Sequence, residues 1–342
     1  MYNQNVLPRS TPKVSVIVPV YNTELYVERA VVSLMEQTLD NVQFIIIDDG
    51  SKDRSLSIIN DVIARYPDRQ EHVILISREN RGVAATRAQG MELAIGDYII
   101  HLDSDDWAER DWLEVMYDKA ISENADVVVC DYQEIYVSKA ITKSQFVSSL
   151  GVECIPSLIR GEISNANWNK LIKRSIFDLN KIEFNCDFRM GEDFLVSLAV
   201  FLNSNRVSYV DHMLYSYNRT NEDSLTNIFD DKSLADLINL VENMIDFLNK
   251  HGLSDVKEII DAIVGFKINI RNTYILQSFR RHELKVFALN IYPETNSFIE
   301  NGYAPKFLKL AYFLNKKNMS WLFFAVDAVL AFNRLLWRLN LK

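Results

Sequence analysis

Asp103, Ser104, Asp105 and Asp106 end the apolar run that opens at Tyr98 in YIIHLDSDDW. Three carboxylates within four residues repel one another, so the cluster implies a partner that offsets the repulsion. Hard divalent cations such as Mg²⁺ and Mn²⁺ take oxygen ligands, and Mg²⁺ is commonly held by one or two carboxylates together with substrate phosphates. Aspartates alternating at a strand end therefore point to a cation that bridges a diphosphate. In that reading Asp105 is the candidate metal ligand, and Asp103 is directed at a ribose or donor sugar. Asp106 is either a second ligand or the cap of the helix that follows. A plain turn with helix capping would use the same residues, so the cluster has to be weighed with its surroundings.

Those surroundings alternate regularly. VSVIVPV (14–20) and VQFIIID (42–48) are β-branched runs of the kind buried on both faces of a sheet. HVILIS (72–77) and DYIIHLD (97–103) supply two more strands. Helical patterns lie between them, from about Glu24 to Gln37, from Ser51 or Asp53 to about Tyr66, and from Val83 to Ala94. Strand starts recur at intervals of roughly 25–30 residues, the length of a βα unit. The fold class expected is α/β, a Rossmann-like, doubly wound and mostly parallel sheet. Ligands of such sheets sit beyond the carboxyl ends of the strands. Tyr21–Asn22, Asp48–Ser51, Arg78–Asn80 and Asp103–Asp106 should therefore share one edge.

From Ala108 the rhythm changes. A helix over about 110–122 and a strand in ADVVVCDYQEI precede a mixed region at 138–220, and from about Lys232 the pattern is almost wholly helical. A soft boundary falls in the polar NRTNEDSLTN near 220–230. We expect one domain over 1–225, made of a segment at about 13–107 and a segment at about 108–225. A helical region would occupy 226–342.

The 342 residues carry a net charge of −9, which argues against a nucleic-acid partner. Cys130, Cys154 and Cys186 show neither zinc spacing nor a disulfide framework, and the N-terminus has no apolar signal core. A cytoplasmic location is expected. Residues 304–342 hold seven basic residues and one acid, Asp327. A span would bury Asp327 and Arg334 at roughly 2.5–3.5 kcal/mol each. An amphipathic helix lying in the interface avoids that cost, so peripheral contact with the cytoplasmic face of a membrane is expected, against packing on the globular body.

As an ordered set, PVYN (19–22), IDDGS (47–51), NRGVAATRAQG (80–90) and DSDD (103–106) resemble the family 2 glycosyltransferases of the GT-A fold. NWNKLIKRSIF (167–177) and MGEDFLVSL (190–198) resemble that family's acceptor-side segments. The resemblance covers about three-fifths of the chain and implies roles residue by residue. Pro19, Tyr21 and Asn22 would wall the nucleotide pocket, and Asp49 would read the base, accepting the imide N–H of a uracil. Arg87 would bind phosphate or a base carbonyl with its fork of donors, its alternative being a surface arginine paired with Glu92 or another acid. Asp193 would be the general base, its ionised form favoured at a helix N-terminus; capping by Glu192 and Asp193 is the alternative. Trp168 and Glu192 are candidates for acceptor contact, Trp168 equally for core packing. Lys170 or Lys173 would reach a phosphate or stay solvated, and His101 is expected in the core.

The family likeness implies an inverting enzyme dependent on Mn²⁺ or Mg²⁺. It would move a sugar from a nucleoside diphosphate sugar, UDP-linked in preference to GDP-linked, to a glycan or lipid-linked acceptor in cell-surface polysaccharide synthesis. Processive relatives add a Q-x-x-R-W segment; here Gln277 and Arg280 have the spacing without the tryptophan, which suggests one sugar per encounter. Two alternatives remain open: a catalytically silent nucleotide-sugar-binding subunit, and a nucleotidyltransferase that makes sugar nucleotides.

Overall fold

The computed structural model describes residues 11–184, 191–221, 231–317 and 319–338, with side chains described up to Ala331. Cys186, Met190, most of the polar boundary segment, and the side chains of Arg334 and Arg338 lie outside the described residues. The chain divides into two compact units, Met1–Leu225 and Thr226–Lys342.

The first unit is built on nine strands: β1 (Val14–Val20), β2 (Val42–Asp48), β3 (Val73–Ser77), β4 (Tyr98–His101), β5 (Trp107–Ala108), β6 (Val127–Ile135), β7 (Ala140–Lys143), β8 (Lys170–Lys173) and β9 (Val207–Asn218). Its helices are α1 (Val27–Met35), α2 (Ser55–Arg65), α3 (Val83–Leu93), α4 (Trp112–Glu123), α5 (Gly151–Arg160), α6 (Arg174–Asn180) and α7 (Glu192–Leu202). The sheet order is β3-β2-β1-β4-β8-β6-β9-β5, with β7 beside β6.

Parallel pairing holds from β3 to β4 and returns between β6 and β9; β8, β7 and β5 pair antiparallel. The sheet is thus mixed: its first half is the expected parallel, Rossmann-like run, and its second half combines the parallel β6–β9 pair with antiparallel partners. The physical reason lies in the connections. The strands β1 to β4 are linked by helical crossovers, which keep strands parallel. β8 enters after α5 from the opposite end and fills the gap between β4 and β6.

All seven residues of β1 and of β2 are buried, so each strand packs on both faces. On one face α1 contributes Val27, Ala30, Val31, Leu34 and Met35 at helical spacing. On the other, α3 comes so close that a β-carbon on Gly90 would stand 2.4 Å from Ile17 Cγ2. That approach sets Arg87, one turn earlier, deep at the sheet edge.

The second unit is helical: α8 (Asp231–Lys250), α9 (Lys257–Gln277), α10 (His282–Asn290), α11 (Asn296–Glu300), α12 (Lys306–Lys316) and α13 (Phe323–Arg338). Its core joins Val241, Ile268, Ile275, Ala288 and Leu308 with Phe323, Val326 and Leu330 of α13. Asp327 on the same helix pairs with the buried Lys285 at 2.8 Å. One face of α13 therefore packs on the unit's own core. Among the described residues no helix is long and apolar enough to cross a membrane.

Candidate active site

The loops after β1 and β2 are laced together. Asn22, at φ +51°, donates its N–H to Ser51 Oγ and accepts the Lys52 N–H on Oδ1. Pro19 is buried within β1, whereas Tyr21 is 49% exposed at the loop. Asp48 accepts the Ser51 N–H and the Ser77 hydroxyl, so it ties a turn to β3 and does not cap α2. Asp49 is buried and accepts the N–H groups of Arg81 (2.9 Å) and Gly82 (2.8 Å), just before α3. Arg78 adds an ion pair at 2.9 Å. A carboxylate offers about four acceptor directions, and these three donors occupy three of them.

At the end of β4 the three aspartates separate in function. Asp106 is fully buried and accepts the Tyr215 hydroxyl and the Asn218 N–H, so it anchors β9 and caps nothing. Burial, then Asp105 and Asp103, push its carboxyl well above the usual range. Asp105 accepts the Asn221 amide at 2.8 Å, and burial followed by Asp103 pushes it up to about 6. Asp103 keeps 27% of its side chain exposed and takes the Arg87 guanidinium at 2.8 Å.

Arg87 has the most revealing surroundings. It is buried, with neither Glu92 nor solvent as its partner. Its guanidinium meets Asp103, Glu192 (3.2 Å) and Asp193 (3.3 Å). Burial alone would lower its pKa, but the three carboxylates outweigh that and hold it charged. One cation thus gathers the end of β4 and the start of α7, joining the two halves of the unit.

Glu192 and Asp193 face Arg87 and cap no helix; the N-cap of α7 is Gly191, without a side-chain cap. Burial and neighbouring Asp193 push Glu192 up to about 7. Asp193 is also raised, by burial first, with Asp103 adding to it and Arg87 opposing. This corrects the expectation that the helix N-terminus favours the ionised form: desolvation wins. Glu192 keeps 7% side-chain exposure and Asp193 keeps 21%, so Asp193 is the more reachable of the pair. Asn167 donates its amide to Asp193 Oδ1 at 2.7 Å.

Of the two alternatives for Trp168, its burial favours the core, and the expectation for Lys170 is corrected. Trp168 is 5% exposed; its indole stacks on Tyr215 at 4.3 Å and meets the Tyr132 ring edge-on. A sugar platform needs an open face, so Trp168 is a core residue. Lys170 is fully buried and reaches no phosphate position. Its ammonium donates to the carbonyls of Ser164 and Ala166 and to Asn169 Oδ1, and burial lowers it to about 7. It holds the loop that presents Asn167. His101 is in the core as expected, edge-on to Phe184, and burial keeps it neutral.

Asn167, Tyr215, Asn218 and Asn221 were not legible as site residues. Asn167 lies in NWNKLIKRSIF, where the adjacent tryptophan is the more conspicuous residue. The other three lie on or just beyond β9, whose pairing brings residues about a hundred positions away to the DSDD turn.

Among the described residues no three His, Cys, Asp or Glu side chains form a self-contained metal cage. The donor set still fits a substrate-shared cation. Asp103 and Asp105 are hard oxygen ligands, and half-buried Asp105 beside Asp103 is a carboxylate whose charge calls for a positive neighbour.

Known proteins agree with this architecture. The family model described as Glycosyl transferase family 2 matches residues 15–180. A Bacillus subtilis (strain 168) protein named "Putative glycosyltransferase EpsH" is 31% identical over 262 residues, covering 74% of each chain. Among solved structures, residues 1–349 of S. aureus TarS in complex with UDP-GlcNAc superpose with a TM-score of 0.60. That match has 18% identity and covers 90% of this chain and 92% of that one. The mannosyltransferase PcManGT of Pyrobaculum calidifontis, in complex with GDP-Man and Mn²⁺, gives a TM-score of 0.51 at 16% identity, covering 96% and 88%. The solved structures share the fold, and the relative is 31% identical over about three-quarters of both chains: this protein is a glycosyltransferase and belongs to family 2.

Proposed function

We propose that the protein is an inverting, metal-dependent transferase. It moves a single sugar from a nucleoside diphosphate sugar, UDP-linked in preference, to a glycan or lipid-linked acceptor in cell-surface polysaccharide synthesis. The observation that carries this reading is the convergence of Asp103, Glu192 and Asp193 on Arg87. It sets a donor-side carboxylate and a reachable basic carboxylate around one cation. We assign the chemistry to residues 1–225, with the donor bound by about 13–107 and the acceptor by about 108–225. Residues 304–342 would make peripheral contact with the cytoplasmic face of a membrane, where a lipid-linked acceptor is presented.

Pro19, Tyr21 and Asn22 form the nucleotide wall in this reading, and Asp49 offers its remaining acceptor direction to the base. The UDP-GlcNAc and GDP-Man held by the two structural neighbours support a nucleotide-sugar donor while leaving the base open. Asp105, with Asp103 beside it, would hold Mn²⁺ or Mg²⁺. When bound, that ion supplies positive charge to the departing diphosphate.

Asp193 takes the proton of the acceptor hydroxyl as its oxygen bonds to the anomeric carbon and the bond to the diphosphate oxygen breaks. One displacement inverts that carbon. Asn167 orients the base, and Arg87 keeps its charge in check until the hydroxyl arrives.

The test is turnover of a panel of sugar nucleotides by purified protein with Mn²⁺ or Mg²⁺. Nucleotide sugar consumed with release of nucleoside diphosphate supports the proposal. Pyrophosphate release from a nucleoside triphosphate and a sugar 1-phosphate would overturn it, and so would binding without turnover of any donor.

A further inference from the structure

α13 has more apolar surface than its own unit uses. Phe323, Val326 and Leu330 are buried, yet Trp321 is 72% and Phe324 63% exposed just beside them. α12 repeats the pattern, with Leu308 buried and Leu310 and Phe313 outside. These helices already own a packed face, so folding of the unit does not account for the second one.

Behind Trp321 and Phe324 lies a cavity of about 450 Å³, lined also by Arg280, His282 and Ser320, with the Lys285–Asp327 ion pair beneath. Arg280 has φ +58°, a conformation that side chains with a β-carbon rarely adopt. Its N–H donates to Asp327 Oδ1, which pins it there. Its guanidinium has no carboxylate within ion-pairing distance among the described residues; it lies 5.2 Å from the Phe279 ring. The structure thus holds a strained arginine at the mouth of an aromatic cleft, its backbone tied to Asp327 and its guanidinium without a carboxylate partner among the described residues.

Asp327 is the only acid in residues 304–342, and Lys285 already neutralises it. Lys306 and Lys317 are exposed, and Lys316, also exposed, pairs with Glu300 at 2.6 Å. A second copy would bring like charge against like. A sheet of phosphates brings the opposite charge, together with a boundary layer that accepts tryptophan.

We propose that Trp321 and Phe324 enter the headgroup layer of an anionic phospholipid membrane while Arg280 and His282 receive a lipid phosphate in the cleft. This rests on the reading that 304–342 meets a membrane, and it names the residues and the lipid class. Peripheral docking of this kind needs no spanning helix.

Flotation of the full chain tests it, using vesicles of equal parts phosphatidylglycerol and phosphatidylcholine against phosphatidylcholine alone. The wild type should float with the anionic vesicles and be released by salt. Trp321→Ala with Phe324→Ala, and separately Arg280→Gln, should each weaken binding about tenfold, with circular dichroism melting confirming the fold. Trp321→Phe keeps a ring, so it should retain binding and lose the blue shift of tryptophan emission that the wild type shows with anionic vesicles. Wild-type flotation that these variants leave unchanged would overturn this site while sparing the membrane reading. No flotation of the wild type with either vesicle would sink both. A stable dimer broken by the double alanine variant would assign the face to a second copy and overturn the proposal.

Discussion

The side-chain amide of Asn167 donates to Asp193 Oδ1 at 2.7 Å, and the loop that carries it is held by the buried ammonium of Lys170. The hydrogen bond favours the charged form of Asp193 against the burial that opposes it. Asn167→Ala should therefore lower kcat about tenfold to a hundredfold through misplacement of the base, with little change in donor KM. It should also move the acidic limb of the kcat–pH profile upward. A merely structural residue would change stability and leave the limb in place.

Asp193 is raised by burial and by Asp103. A base has to be ionised, so activity should be lost as pH falls through that raised value, above the ordinary aspartate range. Asp103→Asn should shift the limb downward in whatever activity remains. Asp193→Asn should reduce turnover by about 10²–10⁴-fold while nucleotide binding, followed by calorimetry, persists. Full activity of that variant would remove Asp193 from the mechanism.

Removing Arg87 leaves Asp103, Glu192 and Asp193 crowded without a compensating charge. Arg87→Leu should destabilise the folded chain by about 3–5 kcal/mol in urea unfolding. The sign with pH follows from the carboxyls. Glu192 stands at about 7, above its unfolded value. Such a group contributes stability below the unfolded pKa and loses it as pH rises through the folded one. The deficit of the variant should therefore be larger at pH 8 than at pH 5.

Chelation should abolish turnover, and Mn²⁺ or Mg²⁺ should restore it. Asp105→Asn should weaken metal-dependent nucleotide binding about tenfold or more, read by calorimetry with and without the cation. Nucleotide affinity that ignores both cation and substitution would exclude Asp105 as ligand.

Trp168 is stacked in the core, so Trp168→Ala should cost about 3–5 kcal/mol of stability, seen as a lower Tm. An acceptor platform would instead raise acceptor KM at unchanged Tm.

Short-range physics made the donor half readable. Continuous apolar runs and helical periodicity placed β1 to β4 and α1 to α3 to within a few residues, because burial on both faces leaves little choice of residue type. The rule that loops beyond parallel strands share an edge then brought Asn22, Asp49 and Asp103 to one side. The acceptor half was less legible. β8 is four residues long and inserts between β4 and β6, and β9 reaches Asp106 through Tyr215 and Asn218. Such pairings depend on which distant strand is free to accept them, and no local pattern records that.

The sequence by itself determined the residue types at the strand ends and hence the family of chemistry. Only the tertiary structure decided their division of labour. It turned Asp106 and Trp168 into supports, set Arg87 among three carboxylates, and pushed Asp193 above its ordinary range. The reason is that burial and charge proximity set these properties, and both depend on neighbours brought from a hundred residues away.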